Sequence, residues 1–162
     1  QLKSLQHSLG TRNFEAEQLL TEQFMLYTGN ECPLAKEKSV NLDEAYAYPW
    51  IILQEHSYEE NCVIMGEDEM CPNSIISFED KDSVKQAISV NLGVAVMASS
   101  FAGEKDPYVA AGLIHRVGLS DVTMETMHVL MTPKKRKFTT VEKCFLEVLR
   151  KFYQQLSNPQ SN

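Results

Sequence analysis

Residues 74–97 read SIISFEDKDSVKQAISVNLGVAVM, and their pattern changes period twice. Ser74–Phe78 is a short, largely apolar run of strand length. From Ser83 the apolar residues Val84, Ala87 and Ile88 recur at helical spacing, with Asp82 or Ser83 placed to cap the helix. Gly93 stands where a left-handed helix stop is expected, and Val94–Met97 is a continuous apolar run of the kind a buried strand shows. Upstream, Trp50–Leu53 (WIIL) is a second such run, entered through Pro49, which also closes the helical turn Leu42–Ala47. Ser57 and Glu60 form a capping box, so a helix is predicted to start there and end before Pro72. Strand, helix, strand, helix, strand from Trp50 to Met97 predicts parallel strands joined by right-handed crossovers, hence an α/β fold with a mostly parallel central sheet flanked by helices.

Farther out the pattern is simpler. Ala16–Leu20 and Gln23–Thr28 read as two short extended segments, with Phe24, Leu26 and Thr28 on one face, followed by a turn at Gly29-Asn30. Gly103–Pro107 is a loop, and Leu113–Val117 and Met127–Met131 are strands. Met124, Met127 and Met131 read as core filler. Thr139 and Glu142 form a further capping box. It opens a helix to about Leu156 that carries Val141, Phe145, Val148, Leu149, Phe152 and Leu156 on one side.

Composition bounds the function. The chain has 162 residues, 43% hydrophobic and 23% charged, as in a globular protein of one domain or two small lobes. Fifteen Lys and Arg against 22 Asp and Glu give a net charge of −7, which disfavours sequence-independent nucleic-acid binding. The basic run Lys134–Lys137 reads as a solvated loop before the last helix. No apolar stretch approaches the roughly 18 residues of a membrane helix, and Gln1–Gly10 lacks the apolar core of a signal peptide. Cys32, Cys62, Cys71 and Cys144 match no zinc spacing and read as reduced, mostly buried thiols of a cytoplasmic protein. His7, His56, His115 and His128 form no metal-ligating pair, so neither metal nor cofactor is expected.

No nucleophile elbow, phosphate loop or dinucleotide fingerprint is present, so no catalytic residue is assigned and no enzymatic activity is expected. The acidic groups Glu59-Glu60, Glu67–Glu69 and Glu79–Asp82 adjoin helix ends, and the first and third suit helix N-termini. In a parallel sheet, ligands sit beyond the carboxyl ends of the strands. That rule singles out Gln54, Glu55, His56 and Ser57 after the first strand, and Phe78 and Glu79 after the second. Free amides at the Ser57 helix start could hold an acidic group, Gln54 and His56 could hydrogen-bond, and Phe78 could pack on an apolar part.

The stretch Leu26–Leu53, with CPLAKEKSVNLDEAYAYPWIIL, resembles the effector-binding domain of LysR-type transcriptional regulators. Cys32 stands in place of the usual histidine before Pro33-Leu34-Ala35, and Pro49-Trp50-Ile51 opens the strand. The stretch 82–102, DSVKQAISVNLGVAVMASSFA, is similar to the family's helix–strand unit, with Asn91 for its first glycine and Ala98 where proline is common. The resemblance runs from about Ala16 to Leu156. It implies two Rossmann-like lobes, as in type 2 periplasmic-binding proteins. Residues 1–27 would give a partial first lobe and crossover, 28–130 the second lobe, and 131–162 the return crossover and final helix. A small effector is implied between the lobes, at Gln54–Ser57, Phe78, Glu79, Met97, Ser99 and Thr132. Implied too are a homodimer or higher homo-oligomer, no membrane, and DNA contact only through an N-terminal helix-turn-helix that these residues do not contain. Gln1–Asn13 is too short for the family's opening elements, so the chain is expected to be a fragment. With Glu55 and Glu79 at the loop entrances, a strongly anionic effector would need compensating donors. Two alternatives compete with this reading: an extracytoplasmic solute-binding protein of the same fold, and a small hydrolase using Cys62 or Cys71 with His56.

Overall fold

A long strand dominates the architecture. In the computed structural model, which describes residues 13–54, 72, 74–121 and 125–157, β1 runs from Phe14 to Gly29. The two extended segments expected there are one strand, because Thr21 and Glu22 continue the backbone ladder although they interrupt the apolar alternation. After a 3-10 turn at Pro33–Lys36 come β2 (Ser39–Val40), α1 (Leu42–Tyr46), β3 (Trp50–Leu53) and β4 (Ile75–Phe78). Then follow α2 (Lys81–Ser89), β5 (Ala95–Ala98), α3 (Pro107–Ala110), β6 (Ile114–Leu119), β7 (Glu125–Pro133) and α4 (Thr140–Ser157). The helix predicted from Ser57, the acidic groups at 59–60 and 67–69, and Cys62, Cys71 and Met124 lie outside the described residues.

Two units share the chain: Gln1–Thr21 with Thr126–Asn162, and Glu22–Glu125. The second holds two apolar clusters, one on each face of its sheet. Successive residues alternate between them, as the two-residue period of a strand demands. Leu26, Trp50, Val94, Val96 and Val117 join Leu34, Leu42 and Tyr46 on one face. Tyr27, Ile51, Leu53, Ala95, Met97 and Ile114 join Val84, Ala87 and Ile88 of α2 on the other. The predicted helical stripe therefore faces the core, and Trp50 also donates its indole N–H to Ala45 O at 3.0 Å.

The sheet is mixed, which corrects the expectation of a mostly parallel one. β3 and β4 are parallel, pairing Trp50 with Ile75 and Leu53 with Phe78, and β2 runs parallel to β6. A parallel bridge joins Trp50 to Val94, with Ile51 N donating to Val94 O at 2.8 Å. β1, however, runs antiparallel to both β5 and β6. Strand direction depends on which distant segment is met, and local periodicity does not encode that.

Two helix ends also differ from expectation. Asp80, ahead of Asp82 and Ser83, caps α2 and accepts from Ser83 N at 2.8 Å. Its carboxylate is held below its usual pKa by the Ser83 hydroxyl and amide. The left-handed residue after α2 is Asn91, at φ 59°, and not Gly93. Asn tolerates that region because its short amide bonds locally, and Asn91 Oδ1 accepts from Glu31 N at 3.0 Å. Gly93 is required for another reason. A Cβ there would stand 2.3 Å from Pro49 O, on the edge where β3 meets the chain entering β5.

The first unit contains Asn13–Thr21 of β1 and its lead-in, β7 and α4. β7 pairs with β1, and Lys134 N donates to Asn13 O at 2.8 Å. The Thr139–Glu142 capping box forms as predicted, with Glu142 Oε2 accepting from Thr139 N at 2.9 Å. No described residue of this unit is buried. Met131 is accordingly 37% exposed, so it does not fill a core as expected. The thiols of Cys32 and Cys144 are half-buried and exposed respectively, so neither is the buried cysteine expected.

Candidate functional site

The parallel register of β3 and β4, with the Trp50–Val94 bridge to β5, sends three strands out at one end of the second unit. Gln54 N continues the ladder by donating to Phe78 O at 2.8 Å, so the first two exits are tied together by backbone. Gln54 is exposed, Phe78 is half-buried against the α2-side cluster, and Glu79 is exposed one residue before the α2 cap. Glu55, His56 and Ser57, which continue the first exit, lie outside the described residues.

The third exit is the most elaborately bonded. Met97 brings the backbone there while its side chain is buried in the α2-side cluster. Ser99 N donates to Gln23 O at 2.9 Å, which ties the turn to β1. The Ser99 and Ser100 hydroxyls donate to the two carboxylate oxygens of Glu22 at 3.2 and 2.9 Å. Glu22 is 7% exposed, and a carboxylate buried that far needs such donors. From the α2 side, the Tyr27 hydroxyl donates to Ala98 O and Ser99 O at 3.0 and 3.2 Å. Burial pushes the Tyr27 phenol above its ordinary pKa, so it stays a donor at neutral pH. Phe101 lies edge-on to Tyr27 at 5.1 Å between centroids, and the Lys85 ammonium sits 5.6 Å above its ring. Lys85 is itself paired with Asp106 at 2.7 Å.

Gln54, Phe78, Glu79, Met97 and Ser99 thus lie at the exits of the two-stranded β3–β4 sheet and of β5, which the Trp50–Val94 bridge joins. Thr132 lies on β7 in the first unit. Glu22, Tyr27 and the Lys85–Asp106 pair escaped the sequence reading. For Glu22 there was a signal, since it shares strand parity with Phe24 and Leu26, and a carboxylate on an apolar face calls for a local partner. For Lys85–Asp106 there was none, because the pair spans a loop. The ensemble offers hydroxyls, an amide, carboxylates and one aromatic flank, which is recognition chemistry. Among the described residues no three His, Cys, Asp or Glu side chains converge as a metal site, and no helix is long and apolar enough to cross a membrane.

The profile of the family described as the LysR substrate binding domain matches residues 6–154. A malolactic fermentation system transcriptional activator of Lactococcus lactis subsp. lactis (strain IL1403) is 23% identical over 139 residues, which cover 84% of this chain and 46% of the relative. The chain therefore spans about half the length of that curated relative. Among solved structures, the effector binding domain of QuiR in complex with shikimate superposes with a TM-score of 0.67 at 17% identity, covering 90% of this chain and 68% of that one. The regulatory domain of MetR, a LysR family regulator from N. meningitidis, gives 0.68 at 11% identity, with 87% and 64% covered. The Synechocystis PCC6803 CcmR regulatory domain in complex with 2-PG gives 0.64 at 11%, with 87% and 67% covered. At these identities the structural likeness establishes the fold.

Proposed function

This chain belongs to the LysR substrate binding domain family, the effector-binding domain of LysR-type transcriptional regulators, and on that premise we propose that it senses a small metabolite at the strand-exit end of its second unit. The observation that supports this most is the shared direction of β3, β4 and β5, which gathers Gln54, Phe78, Glu79, Met97 and Ser99. Glu55, His56 and Ser57 extend the first exit by sequence, and Thr132, on β7, is a separate candidate contact. In this reading Gln54 and Ser99 hydrogen-bond the effector, Phe78 packs on its apolar part, and Met97 shapes the floor from within the core. The role is binding without catalysis. An effector that prefers one arrangement of the regulator shifts the population toward it by its difference in affinity. DNA is contacted through a helix-turn-helix elsewhere in the full regulator, which acts in the cytoplasm as a homo-oligomer. The runner-up, an extracytoplasmic solute-binding protein, would share the site but not the DNA-binding partner domain.

A thermal-shift titration tests the site. The panel begins with shikimate and 2-PG, which the QuiR and CcmR domains bind, and adds amino acids and polyamines because Glu22, Glu79 and Asp80 make these exits acidic. A true effector stabilises by roughly 2.7 kcal/mol at a hundredfold excess over its Kd. Gln54→Ala should remove that gain while leaving the unliganded midpoint nearly unchanged, and Ser99→Ala should remove it while also lowering the unliganded midpoint, because Glu22 loses a donor. Equal stabilisation of both variants would place the effector elsewhere.

A further inference from the structure

The net charge of −7 is unevenly shared between the two units. By sequence, Gln1–Thr21 with Thr126–Asn162 carries nine Lys and Arg against four Asp and Glu, a net of +5. Glu22–Glu125 carries six against 18, a net of −12. The positive excess is concentrated where β7 turns into α4. Residues 134–143 hold five Lys and Arg and a single carboxylate, Glu142, which is engaged by the capping box and by Arg136. Lys134, Lys135, Lys137 and Lys143 are all exposed, and none of them pairs with a carboxylate among the described residues. Four ammonium groups without a counter-charge in so short a stretch make a strongly positive local field, and such a field favours a polyanion. We propose that this turn is a second contact for duplex DNA, one that holds backbone phosphates without reading sequence and adds to the grip of the helix-turn-helix.

The chemistry of the patch selects among polyanions. Its free cations are lysines, which meet phosphate as point charges. The arginines near it, which could fork onto a base edge or a carboxylate, are already taken: Arg136 by Glu142 and Arg150 by Glu17. An acidic peptide would also need an apolar anchor. Phe138, the one aromatic residue of the turn, is half-buried, with the Arg136 guanidinium 6.0 Å from its ring centroid. Val141 is exposed, but at about 3.6 residues per turn Lys143 stands roughly opposite it around α4, so the two do not share a face. A purely ionic partner is left, and a duplex presents one phosphate charge per roughly 1.7 Å of its axis. In a transcriptional regulator the same polypeptide holds that duplex, and the resulting effective concentration lets a weak contact count. The proposal rests on the family reading and is independent of where the effector binds.

Fluorescence anisotropy of the 162-residue chain with a labelled mixed-sequence duplex tests it. With four phosphates neutralised, the log–log salt slope should be about −3.6, a roughly 150-fold loss of affinity between about 50 and 200 mM salt. Lys134→Gln with Lys135→Gln and Lys137→Gln should leave a slope of about −0.9 and weaken low-salt binding more than tenfold, with circular dichroism unchanged. Lys36→Gln with Lys38→Gln, at exposed positions of the acidic unit, should alter neither slope nor affinity. No binding at the lowest salt overturns the proposal, as does a triple variant that keeps the original slope or a control pair that loses as much. Poly-glutamate bound as tightly as the duplex assigns the turn to an acidic protein and overturns it too. The effector site is read separately by thermal shift, so a failure there leaves the DNA result standing, and the reverse.

Discussion

In Glu22–Glu125 the sheet is roofed on both faces, by α1 and the 3-10 turn on one side and by α2 on the other. In the unit made by Asn13–Thr21 and Thr126–Ser157, a strand pair and one helix meet without burying a residue. The helix of that second kind is no less apolar; five of its large hydrophobic side chains are simply left outside. Amphipathic sequence is therefore not enough to make a core. A face is buried only when a second layer closes over it, and burial at about 25 cal/mol per Å² is what offsets the ordering of the chain. The closed unit should carry most of the cooperative stability, and the open one should fray first.

Perturbations of rising delicacy can break or sharpen that contrast. Trp50→Ala removes a side chain 1% exposed, stacked on Tyr46 at 5.2 Å between centroids, and should cost about 3–5 kcal/mol in urea unfolding followed by circular dichroism. A loss near zero would mean that the closed unit is not the stable one. Gly93→Ala drives a methyl into Pro49 O and should cost roughly 1–3 kcal/mol, seen as a lower urea midpoint with an unchanged slope. Leu149→Ala in the open unit deletes a half-buried side chain and should cost only about 1 kcal/mol. Trp50 is the sole tryptophan, so its emission reports the closed unit alone. The Leu149 variant should shift the circular-dichroism transition at 222 nm (about the helix minimum) and leave the emission transition in place.

Acid probes the closed unit in another way. Burial by itself would raise the Asp106 carboxyl, but the Lys85 ammonium and the amides of Tyr108 and Val109 outweigh it and hold the group below its ordinary range. A depressed folded pKa adds stability that is present above the unfolded value of about 3.9 and lost as the pH falls through the folded value. Lys85→Met removes the principal opposing charge and should move acid unfolding to higher pH. An unmoved acid midpoint would show that the pair is not coupled to folding. The smallest effect is expected in the open unit. Glu17 and Arg150 are 45 and 39% exposed, so Glu17→Gln should cost under about 1 kcal/mol, and that cost should shrink in high salt.

Legibility in the sequence followed the range of the interaction. Trp50–Leu53 is a strand to the residue, the Val84, Ala87 and Ile88 stripe faces the core, and the Thr139–Glu142 box caps α4. Each depends on neighbours within a turn or a strand. Asp80 displaced Asp82 and Ser83 as the α2 cap because three adjacent polar residues can all serve, and the helix axis decides among them. Asn91 rather than Gly93 turned left-handed because Gly93 was needed at a close approach to Pro49, a contact formed with another strand. Of the candidate site, the exits at Gln54, Phe78 and Glu79 were named from strand ends and Ser99 from the family resemblance, whereas Glu22 beneath Ser99 and Ser100 came from a strand seventy-odd residues earlier.

By itself the sequence determined where segments begin and end, which of their faces are apolar, and that an α/β unit would form. These properties are set by steric period, capping and turn chemistry, all of which act over a few residues. Only the tertiary structure decided that β1 runs against its neighbours, that Glu22 lies buried under two serines, and that the apolar side of α4 faces outward. Pairing direction and burial depend on which remote surface arrives, and no local pattern carries that information.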